Sequence, residues 1–296
     1  MRVLIVGCGY VGLPLGAELV RQGHHVFGLR RNAAAENELK AAGIQPLIGD
    51  VTKPEELEKL PRDFDWVVNC VSAGGAENYR EVYLQGTRNL FRWLALQPPE
   101  KFIYTSSTSV YAQNDGSVMT EQSPAEPAME TSKILVETEK VLLDAFAKKN
   151  FPAVILRVAG IYGPGRGHWF RQFLKGDAHI EGDGSRFLNM IHRDDLVGCI
   201  VAALKNGRAG EIYNTVDDEP ASQLKIFEWL AAELKRPMPP KMPADTETWR
   251  KRGVTNKRVN NSKLRSELKY EFRFPDFRAG YAAEIARLKQ DGGPDF

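Results

Sequence analysis

A chain of 296 residues carries 40 basic and 38 acidic side chains, for a net charge of +2, and 43% of its residues are hydrophobic. The charge balance gives no reason to expect nucleic acid or an anionic membrane surface as partner, and no apolar run reaches membrane-spanning length. Length and hydrophobic content fit one large α/β domain or a domain and a half.

Residues 3–6, Val-Leu-Ile-Val, read as a buried strand. Gly7, Gly9 and Gly12 follow at G-x-G-x-x-G spacing, and Leu15, Leu19 and Val20 then recur with helical period. Each glycine has a physical job in a dinucleotide cradle. Gly7 permits the tight turn, Gly9 lets backbone approach a pyrophosphate, and Gly12 allows close helix–strand packing. The helix beginning near Tyr10 and Val11 aims its free N–H groups and positive dipole end at that pyrophosphate.

Gly23 ends this helix and residues 25–29 form strand two. An NAD site usually closes strand two with an acidic residue that binds the ribose 2′-hydroxyl. Here Arg30 and Arg31 stand there instead, and a guanidinium can bind a 2′-phosphate with paired hydrogen bonds. NADP is the expected cofactor; NAD, with two solvated surface arginines, is the alternative. A short helix over 36–42, strand three over 44–48, a helix over 54–60 and strand four over 64–71 follow. Asp50 and Val51, past strand three, are placed to meet the adenine, and Val71, Ser72 and Ala73 to pass near the cofactor. A long helix over 77–96 carries Val82, Leu90, Phe91 and Leu94 as an apolar stripe, read as core or dimer face. Cys8, Cys70 and Cys199 are odd in number and widely spaced among apolar neighbours. They read as buried free thiols in a reducing compartment, with no metal pattern. With no signal peptide ahead of the first strand, the expected location is cytoplasmic.

Strand five, residues 101–105, runs into Ser106-Ser107-Thr108-Ser109-Val110-Tyr111. Further on stand Leu156-Arg157-Val158-Ala159-Gly160-Ile161-Tyr162-Gly163-Pro164-Gly165, Asn189-Met190-Ile191-His192-Arg193-Asp194-Asp195-Leu196, and Tyr213-Asn214. With the glycine loop, these ordered motifs resemble the extended short-chain dehydrogenase/reductases of the NAD-dependent epimerase/dehydratase group, over residues 1 to about 280. The resemblance implies a Rossmann-type, doubly wound parallel sheet. It also implies a Ser that holds the substrate oxygen, here Ser107, and a Lys that binds the nicotinamide ribose, here Lys133. The family's proton-transferring Tyr belongs four residues before that lysine, where this chain has Met129. A thioether has no titratable proton, so it cannot act as general acid or base. Tyr111 is a packing residue in the family, Glu130 points about 100° away from Met129 on a helix, and His168 and His192 receive no catalytic role. Loss of Tyr with retention of Lys resembles an atypical, YeeZ-like branch. So does the signature Lys257-Arg258-Val259-Asn260-Asn261-Ser262-Lys263-Leu264, followed by Phe274-Pro275-Asp276-Phe277.

The expected organisation is a dinucleotide-binding domain over 1–162, to which 191–215 returns. A smaller substrate-binding region takes 163–190 and 216–290, and 291–296 form a disordered tail. The function so implied is an NAD(P)-binding oxidoreductase or epimerase-like protein acting on a small hydroxy or keto substrate, with nucleotide-sugar-like molecules among the candidates. A non-catalytic NADP(H)-binding sensor or regulator is the alternative. No metal is expected. The chain is a monomer, or a homodimer through the 77–96 and 131–148 helices.

Overall fold

The computed structural model describes residues 1–243 and 255–291. Residues 244–254 of the expected smaller region and 292–296 of the expected tail lie outside the described residues. Seven strands form the central sheet: β1 (Arg2–Val6), β2 (His25–Arg30), β3 (Gln45–Ile48), β4 (Trp66–Asn69), β5 (Lys101–Ser107), β6 (Ala153–Val158) and β7 (Ile212–Thr215). They lie in the order β7-β6-β5-β4-β1-β2-β3, every pairing parallel. This is the Rossmann-type α/β architecture. Val3, Leu4, Ile5 and Val6 are all 0% exposed, as a strand covered by helices on both faces requires, which explains a continuous apolar run in place of alternation. Strand order reverses between β1 and β4, and the crevice opens at their carboxyl ends.

The helices are α1 (Gly12–Arg21), α2 (Glu36–Ala41), α3 (Pro54–Leu57), α4 (Gly86–Leu94), α5 (Glu130–Lys149), α6 (His168–Lys175), α7 (Arg193–Asn206), α8 (Gln223–Leu234) and α9 (Phe277–Gln290). The expected 77–96 helix starts as a π-helical stretch, Arg80–Gln85, and becomes α-helical only at Gly86. A π turn aims side chains differently from an α turn and is often found at functional sites. Val82 of this stretch, expected in the core, is buried and also faces the crevice described below.

Two apolar cores result. The first surrounds the sheet. The second gathers Phe170 and Phe173 of α6, Ile226, Phe227 and Leu230 of α8, and Phe277, Tyr281 and Ile285 of α9. The 216–290 stretch does not keep to the second core. Val216, Val259, Leu264 and Leu268 pack in the first, because Arg258–Val259 pairs in parallel with Val118–Met119 beyond β5. Among the described residues no helix is long and apolar enough to cross a membrane and no residue cluster could hold a metal ion.

Candidate functional site

The glycine loop is pinned to the end of β2. The N–H groups of Gly7 and Cys8 donate to the Leu29 carbonyl at 3.2 and 3.4 Å, and Leu13 N–H donates to the Gly9 carbonyl at 2.8 Å. Gly7 has φ +84°, and a Cβ there would stand 2.7 Å from the Val71 backbone. At Gly12 a Cβ would stand 2.8 Å from the Gly7 carbonyl. Both positions therefore exclude a side chain. Gly9 differs: a Cβ would meet only the Arg30 Nη1, at 3.7 Å. Its bare backbone borders open space, which is where a phosphate can approach.

That space is a cavity of about 930 Å³. Gly7, Gly9, Tyr10, Val11, Arg30, Arg31, Asp50, Val51, Val71 and Ser72 line it, whereas Gly12 and Ala73, expected at the cofactor, do not: Gly12 packs against the Gly7 carbonyl and Ala73 against the first core. Arg30 Nη1 donates to the Cys8 carbonyl at 2.5 Å, which holds its guanidinium against the loop. Arg31 is exposed and reaches to 3.9 Å from an Asp50 carboxylate oxygen. The other Asp50 oxygen accepts from the Thr52 N–H and hydroxyl at 2.9 and 2.8 Å, so Asp50 is fixed by its own turn. Cys8 and Cys199 are buried free thiols, but Cys70 is only half-buried and lines the cavity.

Across the cleft stand residues of the 163–175 stretch. The Tyr10 hydroxyl donates to the Pro164 carbonyl at 3.1 Å, with the Arg166 and Arg193 guanidinium groups 5.0 and 5.4 Å from its ring centroid. Burial pushes the Tyr10 phenol pKa up. Arg166, His168, Arg171 and Lys175 line the same cavity together with Asp177, so three cationic side chains face it there against one carboxylate. That the 163–167 segment folds onto Tyr10 is not carried by its own composition, because the contact joins residues 154 positions apart.

A second cavity, of about 280 Å³, adjoins the first through shared walls at Ala159, Gly160, Ile161, Gly167 and His168. Ser107 lies here, its hydroxyl oxygen accepting the Ser109 N–H at 3.2 Å. Thr108, Ser109, Asn189 and Lys257 line it too. Lys257 is 3% exposed, and burial lowers its pKa to about 8.

Met129 and Lys133 line neither cavity. Met129 is the residue before α5, half-buried, its carbonyl accepting the Ser132 and Lys133 N–H groups at 3.0 Å each. The Lys133 side chain is exposed, on the turn whose Ser132 hydroxyl reaches the Ser109 hydroxyl at 3.1 Å. Tyr111 is fully buried and structural. Its oxygen accepts from Arg157 Nη1 at 2.9 Å and pairs with the Asn214 side-chain oxygen at 2.8 Å. Arg157 also forms a 2.7 Å ion pair with buried Glu139, which accepts from the Ser106 hydroxyl at 2.5 Å. His192 caps α7, its Nδ1 accepting the Asp194 N–H at 3.2 Å.

A profile of the NAD dependent epimerase/dehydratase family matches residues 3–215. The chain belongs to that family. It is 30% identical over 284 residues to protein YeeZ of Escherichia coli K12, covering 93% of this chain and 97% of that one. A functionally unknown conserved protein from Silicibacter pomeroyi superposes with a TM-score of 0.81 at 27% identity, covering 97% and 98% of the two chains. A dTDP-glucose 4,6-dehydratase from Streptomyces venezuelae with NAD bound shares the fold, with a TM-score of 0.84 at 21% identity over 98% of each chain.

Proposed function

We propose that this chain binds NADP(H) in the larger cavity and acts as an oxidoreductase or epimerase-like enzyme on a small hydroxy or keto substrate in the smaller one. One observation carries the reading. A glycine cradle with two arginines opens into a cavity that shares a wall with another lined by Ser107. The residues fit a dinucleotide: Gly9 leaves its backbone bare to the cavity, and the first N–H groups of an α-helix lack partners within it. When bound, the nicotinamide exchanges a hydride with the substrate. Gly9, Val11 and the start of α1 hold the pyrophosphate, Asp50 and Val51 border the adenine, and Val71 and Ser72 face the nicotinamide half. Ser107 orients the substrate oxygen.

Arg30 and Arg31 then favour the 2′-phosphate. A hydrogen bond to a charged group contributes about 1.5–3 kcal/mol, and the exposure of Arg31 cuts its share. The expected preference for NADPH over NADH is at least about tenfold, measured by calorimetry, with most of it lost in Arg30→Ala/Arg31→Ala. Equal affinities in the unaltered protein would overturn the NADP assignment. A second reading rests on Met129 standing where the family has Tyr: a sensor or regulator that binds NADP(H) without turnover. Carbonyl-dependent oxidation of bound NADPH excludes it.

A further inference from the structure

With no phenol at position 129, the substrate oxygen needs another proton partner, and the second cavity holds one. We propose that Lys257 is the catalytic acid and base of this chain, its Nζ giving a proton to the substrate oxygen in carbonyl reduction and taking it back in alcohol oxidation. The inference rests on the reading above that the substrate occupies the smaller cavity.

The geometry supports it from two sides. The Lys257 backbone is anchored, because its carbonyl accepts from Asn189 Nδ2 at 3.0 Å while the neighbouring Val259 N–H donates to Asn189 Oδ1 at 2.7 Å. Its side chain shares the cavity wall with Ser107 and Thr108. Nζ donates to the Tyr111 carbonyl at 2.8 Å and to the Thr255 hydroxyl at 2.7 Å. An ammonium has three donors, so one remains for a ligand. Both acceptors are neutral, and among the described residues Lys257 has no carboxylate in ion-pair range. Burial without a counter-charge disfavours the ammonium, which agrees with a pKa lowered to about 8. Such a group gives up a proton near neutral pH far more readily than an exposed lysine.

The other titratable groups on this wall are less suited. Arg186 is paired with Glu181 at 2.8 Å and does not deprotonate in proteins. Burial pushes the phenols of Tyr162 and Tyr281 far up. They are spent on the Asp276 carbonyl at 3.3 Å and the Met190 sulfur at 3.7 Å. His168 is exposed where the two cavities meet.

In the reducing direction the carbonyl carbon gains the hydride of the reduced dinucleotide, which is thereby oxidised. The carbonyl π pair moves to oxygen, the Lys257 N–H bond breaks as the O–H bond forms, and solvent returns a proton to the neutral amine. Charge and electrons balance, and Ser107 holds the oxygen throughout.

The test uses the full-length protein and trace acetic anhydride from pH 6 to 10.5, with acetylation of each lysine read by peptide mass spectrometry. Exposed Lys133 serves as the internal standard. Lys257 is expected to label with a midpoint near pH 8, about 2 pH units below the ordinary lysine value near 10.4. Labelling only in the exposed-lysine range overturns the proposal, as does resistance through pH 10.5, because the group must both titrate near neutrality and open to the cavity. Lys257→Arg keeps charge and donors but cannot deprotonate. It is expected to keep NADPH affinity within about twofold and to lose about 10²-fold or more in kcat with any carbonyl acceptor that oxidises NADPH. Unchanged kcat would also overturn the proposal. Failure of the unaltered protein to bind NADPH would instead strike the cofactor reading, and leaves the labelling result to stand alone.

Discussion

At the scale of single residues, the three loop glycines separate three physical roles that one motif fuses. Gly12 is packed against backbone, so Gly12→Ala must move the Gly7 carbonyl. It is expected to cost about 1–3 kcal/mol in urea unfolding, the usual cost of overpacking. Gly9→Ala meets nothing closer than 3.7 Å, so its stability should stay within about 0.5 kcal/mol of the parent. Its methyl group stands where a phosphate would approach, and NADPH affinity should fall at least about tenfold. If Gly9→Ala binds NADPH normally, the pyrophosphate does not lie on this loop. The turn at Gly7 and the close packing at Gly12 were legible in the sequence because a missing Cβ is itself the signal. Lys257 was not legible. The sequence marks it only as the first residue of the 257–264 signature, and its contact with the Tyr111 carbonyl, 146 positions away in the chain, is not written there.

At the scale of elements, β5 and α5 differ in how they stand to the two cavities. Strand β5 ends in consecutive serines that take opposite duties. Ser106 turns to Glu139 of α5, and Ser107 opens onto the second cavity. Alternation of side chains along a strand is the physical reason for that split. The placement of α5 was harder to read. Sequence spacing aligns Met129 and Lys133 with the family's Tyr and Lys, but α5 starts at Glu130 and presents Lys133 to solvent beside Glu137 and Lys140. The nearby Arg80 links to Glu130 and Glu137 at 3.1 and 3.0 Å, so this face is charged. From this geometry Lys133→Met should leave the NADPH dissociation constant within about twofold by calorimetry. A tenfold rise would show that α5 brings the lysine to the ribose after all. The Arg157–Glu139 pair is a different matter, since both side chains are nearly sealed, at 6% and 3% exposure. Glu139→Gln leaves a buried guanidinium without its counter-charge and is expected to cost about 3–5 kcal/mol. A urea midpoint close to that of the parent would show that the Tyr111 hydroxyl alone can hold Arg157.

At the scale of the whole molecule, the two cores meet at the smaller cavity, which residues of both line, and the chain crosses between them several times. The parallel sheet follows from the buried β-branched runs, whereas the return of Val259, Leu264 and Leu268 to the first core does not, because short apolar stretches carry no address of the partner they pack on. Lys257 stands at this seam, holding the carbonyl of Tyr111 from the sheet side with a residue of the C-terminal segment. Its titration is therefore coupled to folding, and the sign follows from the proton balance. The folded-state pKa lies near 8, below the unfolded value near 10.4. Below pH 8 both states carry the proton, and the cost of burying the ammonium is present in full. Between pH 8 and about 10.4 the unfolded chain binds a proton that the folded chain has lost, so this group makes stability rise with pH, by at most about 1.4 kcal/mol per pH unit. Lys257→Met has no such group. The difference in unfolding free energy between parent and Lys257→Met is thus expected to be flat from pH 6.5 to 7.5 and to shift in the parent's favour from pH 8 to 10. Urea titrations at half-unit intervals would measure it, and a difference that stays level across pH 8 to 10 would mean that Lys257 keeps an ordinary proton affinity in the folded protein.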